Sequence, residues 1–257
     1  MSYSRRQLVD VFLTKLKFNL KSEASKTYLG YVWWVLEPAL FVLVLYLVFG
    51  IFRARGTPDF VIFLVIGKIP FLWFSKSVVN ASNSILQARG LINQVIISKA
   101  FFPLLVVAQD LVKQLFVLTL MFVFLIWFGL EPNLAWLYFP LLFVVQLLLI
   151  VACSLITAMI TPFLPDFKYI LSTGMVLLML MSGIFFDYRE VILPKHQSLF
   201  LANPMARLLT EYRRILMDGQ PPEWLPLSMI ALISFLVIIA LLRFYRRIDT
   251  PLARRVL

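Results

Sequence analysis

The chain has 257 residues, 61% of them hydrophobic, with a mean hydropathy of +0.91 and a net charge of +11. A soluble domain is about 45–50% apolar and a single core stops growing near this length, so the surplus excludes a soluble protein and makes lipid its natural solvent. Eleven of the 24 Lys and Arg lie in the two terminal stretches, residues 1–28 and 243–257, which fits retention beside anionic lipid on the cytoplasmic face rather than binding of nucleic acid.

At roughly 20 apolar residues per crossing, about six spans account for half the chain, an all-α integral membrane architecture with short loops. Residues 4–28 carry Leu8, Val11, Phe12, Leu16 and Leu20 at helical spacing, with Arg5, Lys15, Lys17 and Lys21 elsewhere around the helix. That pattern predicts an amphipathic helix lying in the membrane interface; a plain basic tail is the alternative. There is no compact apolar run with a small-residue cleavage site, so no cleavable signal is expected.

The first span is expected over about 31–52, opening on the boundary aromatics Tyr31, Trp33 and Trp34. Glu37 lies a turn inside it, a costly place for a carboxylate that calls for a partner or water. The second span, about 60–83, holds Lys68 and Pro70 and then the small, polar stretch SKSVVNASNS, which suits a bundle interior. Residues 84–99 are too short and polar to span and read as a short amphipathic cytoplasmic segment. The third span, about 100–128, carries Asp110 and Lys113 three apart, within reach of an intrahelical pair.

The turn at 129–133 has no Lys or Arg and reads as external. A fourth span over about 134–161 is followed by a tight turn with Pro162, Pro165, Asp166 and Lys168, then a Met-rich fifth span over about 169–186. Residues 187–223 are half apolar and charged, which fits two short re-entrant helices in the external leaflet. The sixth span, about 224–243, ends in the basic tail RFYRRIDTPLARR. With both termini inside, fourteen basic residues fall on the cytoplasmic side and seven outside, the asymmetry expected of a multi-pass inner-membrane protein.

Motifs of soluble enzymes are missing. No GxxxxGK[ST], HExxH or GxSxG occurs, so the chain has no P-loop for ATP. The lone Cys153 and lone His196 exclude an internal disulfide and most metal sites. No catalytic residue, no metal site and no cofactor of its own are expected. Glu37 and Asp110 could form a proton relay, but local pairing is the simpler reading.

Three motifs in order carry a resemblance. Leu29–Leu40, LGYVWWVLEPAL, looks like the opening of the first span in ABC-2-type permeases that export polysaccharides. Ile69-Pro70-Phe71-Leu72-Trp73-Phe74-Ser75 resembles their IPF-x-x-FS pattern. Asn203-Pro204, with Arg213 ten and Gly219 sixteen positions after the asparagine, resembles their last external element. With the basic amphipathic start, the resemblance covers nearly the whole chain as one transmembrane domain, residues 1–257. The relatives in view are permeases for O-antigen, capsule or teichoic-acid glycans.

The resemblance implies a homodimer joined to two copies of a separate ABC ATPase subunit, which would hold ATP and Mg. It implies export of a glycan carried on undecaprenyl diphosphate across the bacterial inner membrane. A coupling segment over Gln87–Ser98 would dock on the ATPase through Gln87, Arg89, Gly90 and Asn93, and the turn with Asp166 and Lys168 would form a second contact. Relatives often have an Arg-Asp pair in that turn, where this chain has Pro165-Asp166. Tyr46, Phe49, Met175 and Met179 would line the channel. Lys17, Lys21 and Lys26, with Arg5 and Arg6, would attract the anionic diphosphate at the entrance. A drug or small-lipid exporter of the same superfamily and a membrane enzyme acting on polyprenyl lipids are the competing readings; the scarcity of His and carboxylates argues against the enzyme.

Overall fold

A computed structural model describes residues 5–51, 58–92 and 97–256. Those residues are helices and connecting turns, with no strand among them. The chain begins with α1 (Arg5–Ser25), which packs along the start of α6 through an edge-on Phe12–Phe101 contact at 5.5 Å. A 3-10 turn over Gly30–Val32 leads into α2 (Trp33–Leu45), which loosens into a π turn at Tyr46–Ile51.

Next come α3 (Pro58–Ser82) and two one-turn helices, α4 (Ser84–Gln87) and α5 (Arg89–Ile92). The long α6 (Phe101–Trp127) ends at Gly129, whose φ of +91° turns the chain where a side chain would be strained. Asn133 caps the 3-10 turn Leu134–Tyr138 through Ala135 N at 2.9 Å, and α7 (Phe139–Ile160) follows with proline in its first turn. After α8 (Phe167–Leu180) come α9 (Tyr188–Val191), α10 (Pro194–Leu201), α11 (Pro204–Leu216) and α12 (Trp224–Val256).

Five segments are long and apolar enough to cross a bilayer: Gly30–Val48, Asp59–Ser82, Phe101–Trp127, Leu134–Ile160 and Trp224–Arg247. The expected fifth span over 169–186 does not form one helix. α8 has 14 residues, about 21 Å of rise against roughly 30 Å of hydrocarbon. The apolar run continues past it, but Gly183 at φ +67° breaks the helix. The basic tail expected after the last span is instead helical, since α12 runs on to Val256. Within the segment 84–99 the described residues include the two one-turn helices α4 and α5, and residues 93–96 lie outside the described residues.

α3 is the central element. The share of its span buried is 78%, against 6% for the α2 span and 11% for α12. Its small, polar second half lets α6 and α7 approach closely, and Trp73 stacks on Phe143 of α7 at 4.5 Å. Pro70 interrupts the helix ladder, and Gln146 of α7 donates to the Pro70 carbonyl at 2.7 Å. Lower on the same pair, Thr157 donates to Val78 O at 3.5 Å. The two contacts advance together along both helices, so α3 and α7 run parallel and end at the same face. That face also carries α1, α4 and α5; α11 closes the opposite one against α3 and α7.

Candidate functional site

Near the α1 face, α1, α2, α3 and α6 enclose a cavity of about 700 Å³, walled by Trp33, Trp34, Phe41 and Trp73 among others. Its polar groups pair across elements. Lys76 donates to Glu37 at 2.5 Å, giving the carboxylate inside the first span the partner its position calls for. Lys113 bridges Glu23 of α1 at 2.9 Å and Asp110 at 3.2 Å, and Asn80 donates to Asp110 at 3.1 Å. The expected 110–113 pair therefore forms, joined by α1. Three carboxylates against two lysines leave this wall with no spare positive charge. The residues Trp73, Ser77 and Gln114 also contribute to it, and each carries a buried polar atom with no hydrogen-bond partner among the described residues.

Lys68 of α3 is a different case. Its side chain is buried, with 8% of the residue exposed, near the middle of the span. The ammonium donates to Met179 Sδ at 2.6 Å and lies 5.2 Å from the centre of the Phe41 ring. No carboxylate among the described residues lies within ion-pair distance of it. A lysine at that depth costs about 2.5–3.5 kcal/mol on insertion scales. Met175, one turn before Met179, is buried in the main core. Both methionines thus face α3, while Tyr46 packs edge-on against Phe128 at the far end of α6, 5.5 Å away. Tyr46 and the two methionines make their described contacts with different elements, and the Phe49 side chain lies outside the described residues.

At the opposite face α11 holds a charged network. Asn203 caps it by accepting from Met205 N at 3.0 Å, and its amide reaches Ser182 Oγ at 3.2 Å. Arg213 is drawn inward. It donates to Gly183 O at 2.8 Å, Ile184 O at 3.2 Å and Phe63 O at 3.3 Å, with its guanidinium 3.4 Å from the Phe63 ring centre. Burial lowers the pKa of Arg213 to about 9, with Asp187 opposing weakly. Gly67 leaves the space this guanidinium fills; a Cβ there would land on it.

Glu211, 1% exposed, pairs with Arg207 and accepts from Glu223 N at 3.0 Å. Burial still raises its carboxyl above the ordinary range, with the Glu223 N–H and Arg207 pulling the other way. Glu223 in turn bridges Arg207 and Arg214. Gly219, at φ +63°, packs against Asn133 and ends the element.

The expected contact residues that the structure describes lie on the α1 face. Gln87 closes α4, and Arg89 and Gly90 open α5; all three are exposed. Beneath them Ile85 and Ala88 are buried against Phe102, Leu155 and Tyr245, so the exposed end has a fixed base. Asn93 lies outside the described residues. Asp166 is exposed at the start of α8, and Lys168 leans over the Tyr169 ring at 4.8 Å. Lys17, Lys21 and Lys26 are exposed along and just beyond α1, as is Arg6; the Arg5 side chain lies outside the described residues. Sequence reasoning left Lys76 and Lys68 without partners because Glu37 and Met179 lie 39 and 111 positions away.

Comparison with known proteins adds to this geometry. Residues 11–217 match the family described as ABC-2 type transporter. An O-antigen export system permease protein RfbA from Myxococcus xanthus is 28% identical over 229 residues, 89% of this chain and 88% of its own. Its namesake from Klebsiella pneumoniae is 26% identical over 220 residues, 85% of each chain. The polysialic acid transport protein KpsM of Escherichia coli is 28% identical over 236 residues, 88% of this chain and 89% of its own.

Proposed function

Because the chain belongs to the ABC-2 type transporter family, we propose that it is the permease subunit of an ABC exporter that moves a lipid-linked polysaccharide across the bacterial inner membrane. The observation that carries this reading is the similarity, over 85–89% of the chain, to permeases named for O-antigen export and to a protein named for polysialic acid transport. The chain is a translocation subunit rather than an enzyme. ATP and Mg belong to a separate ATPase, two copies of which serve a permease homodimer.

In this reading both termini are cytoplasmic, and the α1 face is the cytoplasmic one. Gln87, Arg89 and Gly90, exposed on a buried base, and Asn93 beyond them dock on the ATPase; Asp166 and Lys168 make the second contact. Lys17, Lys21 and Lys26 form a basic approach to the membrane surface, suited to drawing in the diphosphate of an undecaprenyl carrier. Tyr46, Phe49, Met175 and Met179 belong to the path of the glycan. α2 and α8 then part from α3 during transport, since Met175 and Met179 pack inward at rest.

The test is a pull-down of the tagged protein from gently solubilised membranes, with mass spectrometry of what accompanies it. A stoichiometric P-loop ATPase is expected. Its reproducible absence, with the permease intact, sinks the reading.

A further inference from the structure

Among the described residues, Lys76, Lys113 and Arg213 are matched to their surroundings and Lys68 is not. Lys76 and Lys113 each face carboxylates, and Arg213 faces three carbonyls. Lys68 faces a thioether and the face of a phenyl ring. An ammonium carries three donors, and a thioether is a weak acceptor. Lys68 is the tenth residue of the Asp59–Ser82 span, so a four-carbon stem cannot carry its charge to either interface. A methionine or leucine would fill the same space without the burden of a buried charge.

The covers of Lys68 come from two elements that are lightly held, by length or by burial. Met179 is unbranched and adaptable, and it ends a short helix just before the Gly183 turn. Phe41 belongs to α2, whose span is only 6% buried. Displacing either side chain uncovers the ammonium in the seam between α2, α3 and α8.

We propose that Lys68 is a mid-membrane anion site, covered at rest by Met179 and Phe41, that takes the oxyanion of the cargo as it passes. A group crossing the bilayer centre loses its hydration, and an ammonium already desolvated there supplies charge-assisted donors in its place. The oxyanion is a phosphate of a lipid diphosphate or a carboxylate of an acidic sugar. This assignment rests on the exporter reading only for the cargo, not for the site. The cavity beside α1, with three carboxylates against two lysines, offers no such spare cation.

The experiment uses the full-length permease in nanodiscs. Binding is measured for a polyprenyl diphosphate, the matching uncharged polyprenol, an oligomer of sialic acid and a neutral oligosaccharide of equal length. Wild type is expected to prefer one charged probe over its neutral counterpart by about tenfold or more, a difference of about 1.4 kcal/mol. Lys68→Met abolishes the preference and Lys68→Arg keeps it. Met179→Glu, which installs an internal counter-ion, also abolishes it and decides the matter should Lys68→Met fail to fold.

Which charged probe shows the Lys68-dependent preference identifies the source of the anion. A wild type without preference for either charged probe overturns the proposal. So does a folded Lys68→Met that keeps the preference. The exporter reading fails separately, through absence of the ATPase from the pull-down, and Lys68-dependent binding would survive that failure.

Discussion

Gly67 and Arg213 meet where α3, the Gly183 turn and α11 converge. The arginine tip is flexible in itself, but here three carbonyls and a ring hold it. Gly67→Ala must therefore dislodge the guanidinium, at about 1–3 kcal/mol for overpacking, and is expected to lower the thermal midpoint in detergent. Combining it with Arg213→Met should add little beyond the worse single change, because both act on one set of bonds; full additivity would refute the coupling.

Glu211 gives a pH signature. Its folded pKa is raised by burial, so the folded state binds its proton more readily than the unfolded chain. Its penalty is then present in full above the raised pKa and fades as pH falls toward the ordinary carboxylate value. Glu211→Gln lacks this titration. Melting curves from pH 8 downward should show wild type gaining on the variant as acid is added, and a constant gap would contradict the assignment.

Helices are tied together by contacts of very different legibility. The Asp110–Lys113 pair is local and legible from spacing, since a three-residue step puts both side chains on one helical face; Asn203-Pro204 entered only through the resemblance, and its cap comes from the structure. The Glu37–Lys76 tie could be anticipated only as a need for some partner. Its geometry depends on how α2 lies on α3, which no local pattern encodes. The division of the expected fifth span was hidden because Met181–Phe186 is as apolar as a helix continuing through it; only the left-handed Gly183 marks the break.

Two element-level outcomes follow. Arg89→Glu on the exposed α5, tested in the assembled exporter, should reduce ATP-driven export without removing the protein from the membrane. Normal export by that variant would discard α5 as a docking element. A double-mutant cycle on Glu37 and Lys76 should give a coupling of no more than about 1 kcal/mol, since both side chains are more than half exposed. A larger value would mean that lipid or protein buries the pair.

For the whole molecule, the clearest expectation concerns sidedness. In a Cys153→Ala background, Lys26→Cys and Arg246→Cys should resist a membrane-impermeant thiol reagent in intact cells, while Glu131→Cys should react. Labelling of either terminal position would invert the topology. The orientation is an expectation from where the basic residues fall, which this labelling tests. The membrane class was legible from composition. The number of full-length helical crossings was not, because length in residues differs from length in helix.

That difference bears on the lipid. α8 is roughly 9 Å shorter than the hydrocarbon layer it meets, while α6 and α12 beside the same bilayer are amply long. Acyl chains match a short wall by compressing, at a fraction of a kcal/mol per Å of mismatch. A bilayer thinned along α8 is the expected result, and a polar headgroup skirting that wall would cross a shorter oily stretch there than beside α6 or α12. Lengthening the acyl chains of the host bilayer would deepen this dimple, and with it the energy the permease must draw from its surroundings to keep that passage short.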